Sequence, residues 1–453
     1  MLSNNKNGSI IQDGDKCMSC CNEEETECYS PDILHTLNQE RALSEEKYDK
    51  RKNIFNEIIS NEPYKFSLQT LLSYTLGTVF FSFIITTPHS LIPATDLIKY
   101  PEKWYEILYH GSYQPVWMSV FCCYQASSYL NIQYFQSKKF VASIGAILFV
   151  IFLTILVTLY FVWTQVFSYS YPIPFQGMAL SFLFYVFQLL PIWTFIPRKW
   201  RKNSRFKNRF LYQFLYWIFT IVVVLGFNII VDLIRKSQNE YQPILALTLP
   251  CLREVYERVA TKIIRNSAEG DFQGATIVLK YTISGRYSII LCYIVGAIAT
   301  NTTSMVLIVV DSAINISFCL RIIWLCKQRH SMVNDQIETL QTLVIYELIE
   351  FQAPLSFMLV LGIAYYGPNG ELYGNISNGY WTYSTIQDIR QTMISMAIFF
   401  LIDFASTIIS AVLLWKYCKI NLWKVFLQLQ KEFAKTFCII LGNLLLLVRT
   451  TYI

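Results

Sequence analysis

A succession of long apolar runs constrains this chain more than any other feature. Phe140 to Phe167 alone is almost uninterrupted, and about 20 apolar residues are enough to carry a helix across the hydrocarbon slab. Only 15% of the residues are charged, against 54% hydrophobic, a balance outside the soluble range. The expected fold is all-α, a polytopic membrane helix bundle with about 8–11 crossings and a disordered N-terminal tail. The bilayer is then the principal partner.

Charge divides the chain. Residues 1–63 carry 13 acids against 7 bases, and the remaining 390 carry 18 acids against 30 bases. The first 63 residues are polar and aperiodic, so they cannot bury enough apolar area to offset chain entropy. They read as a cytosolic acidic tail containing Cys17, Cys20, Cys21 and Cys28, with a short helix over 44–59. No His stands at ligand spacing from these cysteines, which are read as reduced thiols rather than a zinc site. Residues 64–233 form an N-terminal group of membrane helices, 234–285 an amphipathic or re-entrant linker, and 286–453 a C-terminal group.

Lys and Arg near the crossing ends set orientation. Lys50, Arg51, Lys52 and Lys65 precede a first crossing over 68–87, which places the N-terminus in the cytosol. Lys138 and Lys139 follow a second crossing over 116–134. The seven bases from Arg198 to Arg209 follow two more, over 140–167 and 176–197. A fifth crossing over 210–233 and two further runs, 287–300 and 303–326, would strand Lys327, Arg329 and His330 outside, against the rule. One extra passage between Tyr241 and Lys280 removes the conflict, as does a single crossing over 287–326. Asn375, in an Asn-Ile-Ser acceptor sequence within an uncharged loop, is the glycosylation candidate.

The linker contains an amphipathic helix. Val255, Tyr256, Val259, Ala260, Ile263 and Ile264 recur at helical spacing, with Arg253, Glu254, Glu257, Arg258, Lys262 and Arg265 on the other face. With no large excess of bases, this helix is expected to pack against protein rather than lie on the membrane surface.

Ionisable groups inside apolar runs are the functional candidates, because each costs several kcal/mol unless it meets water or a partner. Asp311 sits in mid-run with Asn315 one turn on, and Arg321 stands about 15 Å further along the axis. Asp403 is followed by Ser406, Thr407 and Ser410 as a polar stripe, while Glu347 and Glu350 share a face before Pro354. Asp311, Asn315, Glu350, Asp403, Ser406 and Thr407 are read as an ion or solute pathway with Arg321 as its countercharge. Interhelical hydrogen bonding is the competing use of the same residues.

Motifs argue against several activities. The four histidines are scattered, which excludes the His-clustered integral desaturases and hydroxylases. No G-x-S-G, H-E-x-x-H or phosphate-binding loop occurs. No enzyme activity, cofactor, metal or nucleic-acid partner is expected. Movement of a small ion or solute is the leading function, a partner-binding membrane scaffold the alternative, and homo-oligomerisation is open to either.

Overall fold

The computed structural model describes residues 68–91, 198–267, 272–298, 301–327, 333–367 and 386–452, together with 147, 150, 151, 154, 193, 194 and 196. The tail over 1–63, the crossings expected over 116–134, 140–167 and 176–197, and Asn375 lie outside these, apart from the isolated positions just named. The described residues are helical with no strand. In chain order the helices are α1 (Leu68–Leu91), α2 (Arg198–Lys202), α3 (Ser204–Lys236), α4 (Gln242–Ala246), α5 (Thr248–Ser267) and α6 (Phe272–Tyr293), which continues into a π-helical turn at Ile294–Ile298. Then follow α7 (Asn301–Lys327), α8 (Val333–Tyr366), α9 (Ile386–Cys418) and α10 (Leu422–Tyr452).

Five of these are long and apolar enough to span a membrane, over Phe206–Ile234, Gly274–Gly296, Thr302–Lys327, Glu338–Ile363 and Arg390–Cys418. The chain is therefore a membrane helix bundle. In α3, α7 and α9 one side is buried while Leu, Ile and Val on the other side stay exposed, the inside-out pattern that a lipid solvent requires.

Pairs of contacts fix the helix directions. Gly226 meets Leu252, Thr220 meets Tyr256 and Arg209 meets Ser267, so α3 and α5 are antiparallel. Arg253 with Tyr287 and Glu257 with Lys280 make α5 and α6 antiparallel. Lys280 with Thr342 and Gly285 with Ile349 make α6 and α8 parallel. Between them α7 returns, pairing Asn315 with Glu350 and Phe318 with Tyr346. Ser312 with Asp403 and Cys319 with Ser410 align α9 with α7. Tyr281 with Phe437 and Gly285 with Leu444 align α10 with α6, and α1 runs alongside α10. From α3 to α10 the long helices thus alternate strictly in direction, and α5 is about 30 Å long.

Two sequence expectations are corrected here. The passage expected at 287–300 begins instead at Phe272, and every side chain described from 274 to 295 is buried, including Lys280 and Arg286. Hydropathy under-read this helix because protein encloses it on all sides, and neighbouring helices rather than lipid satisfy its polar groups. The second correction concerns α5. Its buried face holds Arg253, Tyr256, Glu257, Ala260 and Ile264, whereas Val255 and Val259 point outward. Arg253 and Glu257 leave the polar side because ionic and aromatic partners wait in the bundle.

Close helix approach depends on glycine at α1. A Cβ on Gly442 would meet the branched Ile85 side chain at 2.8–3.0 Å, whereas one on Gly77 would meet nothing within 4 Å. Gly442→Ala is expected to lower unfolding free energy by about 1–3 kcal/mol. Gly77→Ala is expected to leave it unchanged or raise it by up to about 1 kcal/mol. Thermal unfolding of the two variants in detergent checks the contrast.

Candidate functional site

Helices α7, α8 and α9 bring four acids, Asp311, Glu347, Glu350 and Asp403, into one fully buried region, and α5 brings Arg253 to it. The local reason is periodicity. Glu347 and Glu350 occupy one face of α8, Asp311 and Asn315 one face of α7, and Asp403, Ser406, Thr407 and Ser410 one face of α9. Pro354 lacks the N–H that would reach the Glu350 carbonyl, which frees a backbone acceptor at the same level.

Each acid has a separate hydrogen-bond donor. Asn315 Nδ2 donates to Glu350 Oε2, Thr407 Oγ1 to Glu347 Oε2, and Ser312 Oγ to Asp403 Oδ1 at 3.5 Å. Asp311 Oδ1 faces the Arg253 guanidinium at 3.3 Å. The second oxygens, Asp311 Oδ2, Glu347 Oε1, Glu350 Oε1 and Asp403 Oδ2, meet no donor in hydrogen-bonding geometry. Ser406 is buried on the same face of α9 with its hydroxyl also unmatched. These atoms lie in a region where an unmatched polar atom is costly.

Arg253 is held by aromatic faces as well as by charge. Its guanidinium carbon lies 3.7 Å from the Tyr346 ring centroid and 4.6 Å from that of Tyr287. Such contacts reach about 2 kcal/mol when desolvated. The Tyr346 hydroxyl donates to Glu257 one turn along α5 from Arg253, and the other oxygen of Glu257 lies 3.7 Å from Lys280 Nζ. Lys280 also donates to Thr342 Oγ1 at 2.5 Å and faces Glu338, whose side chain is 43% exposed, at 3.5 Å. A line of charged and aromatic groups thus runs from Glu338, the one partly exposed member, inward to Asp311.

Of the residues singled out in the sequence, Asp311, Asn315, Glu350, Asp403, Ser406 and Thr407 are buried in this region. Arg321 is not among them. It is exposed on α7, and Arg253 takes the position that had been assigned to it. Sequence reasoning also missed Glu257, Lys280, Tyr287 and Tyr346. The one usable signal was the Arg253/Glu257 pair at i,i+4 beside small and aromatic residues, a spacing that places both on one face. Among the described residues no three His, Cys, Asp or Glu side chains converge as a metal-binding group. No family model, curated protein or solved structure matches this chain.

Proposed function

We propose that this chain is a multi-pass membrane protein with a cytosolic N-terminus that moves a small ion or solute through its C-terminal bundle, with Asp311, Glu347, Glu350 and Asp403 as a proton-loaded coupling site. One observation carries the reading: four fully buried acids share one region, and the ion pair described there is that of Asp311 with Arg253. In a low-dielectric interior the surplus negative charge requires neutralisation, by bound protons or a bound cation. Protons fit better, because the acids have separate donors and do not converge on one point.

The helix directions support the orientation. With α5 as a passage, the bases at the start of α3, Lys262 and Arg265 on α5, Lys327 at the end of α7, and Lys416, Lys419 and Lys424 around the turn from α9 to α10 all fall on one side. On this reading that side is the cytosolic one by the positive-inside rule, and a glycan at Asn375 is expected on the other side. Glycan mapping at Asn375 with a tag at each terminus tests this. A modified Asn375 on the same side as the N-terminal tag would sink it.

The side-chain hydrogen bonds also favour a structural reading, in which the acids only hold helices together. Flux separates the two. In proteoliposomes with an enclosed pH dye and a clamped potential, presented with a panel of small ions and solutes, the protein is expected to speed proton movement above that of protein-free vesicles. Asp403→Asn, which leaves no ion pair broken, is expected to cut that rate by about tenfold or more at unchanged thermal stability. No wild-type flux across the panel, or an Asp403→Asn rate equal to wild type, overturns the reading.

A further inference from the structure

We infer that Arg253 is a two-position switch that moves from Asp311 to Glu257 when Asp311 takes up a proton, displacing Lys280 and opening the line of charged groups toward Glu338. The inference rests on the reading of the acid cluster as a proton-loaded site, and it says how loading would reach the surface.

Geometry supplies both positions. Asp311 holds one amino group of the guanidinium, and the remaining donors, Nε and Nη2, meet no acceptor. Glu257 lies four residues on along the same helix and the same buried face, within the i,i+4 reach of an arginine. Between them lies the Tyr346 ring, with Arg253 over its face and Glu257 at its hydroxyl. A guanidinium sliding along that face stays in contact with π-electrons throughout, so the move never leaves the charge bare. Glu257 is occupied in the observed state, because Tyr346 donates to it and Lys280 pairs with it at 3.7 Å. That longer ionic contact is the weaker of its two attachments. Lys280 has a second carboxylate at Glu338, so it can give way without being stranded.

The groups around the switch come from four helices. Asp311 is faced by Arg253 of α5, Tyr287 of α6 and Glu350 of α8. Asp403 of α9, Glu347 of α8 and Cys292 of α6 lie close by. Arg253 lies against the Asp311 carboxylate at 3.3 Å, and Tyr287 and Glu350 also reach the same carboxyl group. Protonation of Asp311 removes the ionic reason for Arg253 to stay, and the Glu257 carboxyl, one turn on along α5, offers it a second position.

Acylation of Lys280 by a water-soluble amine reagent, read by peptide mass spectrometry on the intact protein in detergent, tests the switch without any flux. Lys280 is buried and ion-paired, so wild type is expected to be protected. Asp311→Asn, which mimics the protonated acid, is expected to raise labelling of Lys280 by at least about fivefold. In the double variant Asp311→Asn/Arg253→Met no guanidinium remains to displace Lys280, and protection is expected to return. Unchanged labelling in Asp311→Asn overturns the switch, as does equal labelling in the single and double variants, which would mean general loosening. Should the single variant not fold, Asp311→Ser against Asp311→Ser/Arg253→Met at the same neutral pH poses the same question. Equal protection in that pair overturns the switch. Failure of proton flux with a working label switch would count against the transport reading alone.

Discussion

Arg253→Met is expected to lower the unfolding free energy of the detergent-solubilised protein by about 3–5 kcal/mol, the range for breaking one side of a buried ion pair. Two losses add. Asp311 is left as an uncompensated acid among three others, and Tyr287 and Tyr346 lose the cation stacked between them. Removing both charges should be far milder, since well-packed apolar replacements of a buried pair are often neutral or stabilising. Arg253→Met/Asp311→Leu is accordingly expected to recover most of the stability. Arg321→Met, at an exposed position on α7, is expected to change it by less than about 0.5 kcal/mol. Denaturation by graded SDS in mixed micelles gives the three values. A small loss for Arg253→Met, or an equal loss for Arg321→Met, would show that Arg253 is not the counterion of the cluster.

The contrast between these two arginines marks where sequence reading stops. Asp311 and Asn315 were legible as neighbours because four residues at 3.6 per turn return to nearly the same face. Arg321, ten residues from Asp311, comes round roughly 80° off that face, and distance along the axis said nothing of azimuth. Arg253 was invisible for another reason. Beyond the i,i+4 spacing of Arg253 and Glu257, the local pattern of α5 does not distinguish a charge that faces water from one with a partner two helices further along the chain. Hydropathy names the solvent of a helix only when one solvent dominates. It identified α3, α7 and α9, whose outer faces remain apolar. It clipped α6, where Lys280, Thr282, Ser284, Arg286 and Ser288 are buried against protein. The conflict over charge sidedness left two resolutions open, an extra full or re-entrant passage between Tyr241 and Lys280 or a single crossing over 287–326, and α5 lies in the first of these segments. Helix α5 runs antiparallel to both α3 and α6 at that place.

Helix α10 is likewise held by protein neighbours, and Tyr281→Ala is expected to show it. Lys431, Glu432 and Lys435 are exposed on this helix, and α10 is not among those apolar enough to span by composition. What holds it is packing. The Tyr281 ring stacks on Phe437 with centroids 3.9 Å apart and planes 6° from parallel, and its hydroxyl donates to Gln352 Oε1 at 2.5 Å. One fully buried side chain of α6 therefore joins α10 to α8. Truncation to Ala removes the stack, the hydrogen bond and the ring volume together, a loss of about 3–5 kcal/mol for an aromatic core residue. Tyr281→Phe keeps the stack and forfeits only the Gln352 bond, about 1–2 kcal/mol. The difference should also be local. Limited trypsin digestion of native membranes is expected to cut at Lys431 and Lys435 in Tyr281→Ala while sparing wild type and Tyr281→Phe. Equal cleavage in all three would mean that α10 is retained by its own affinity for lipid.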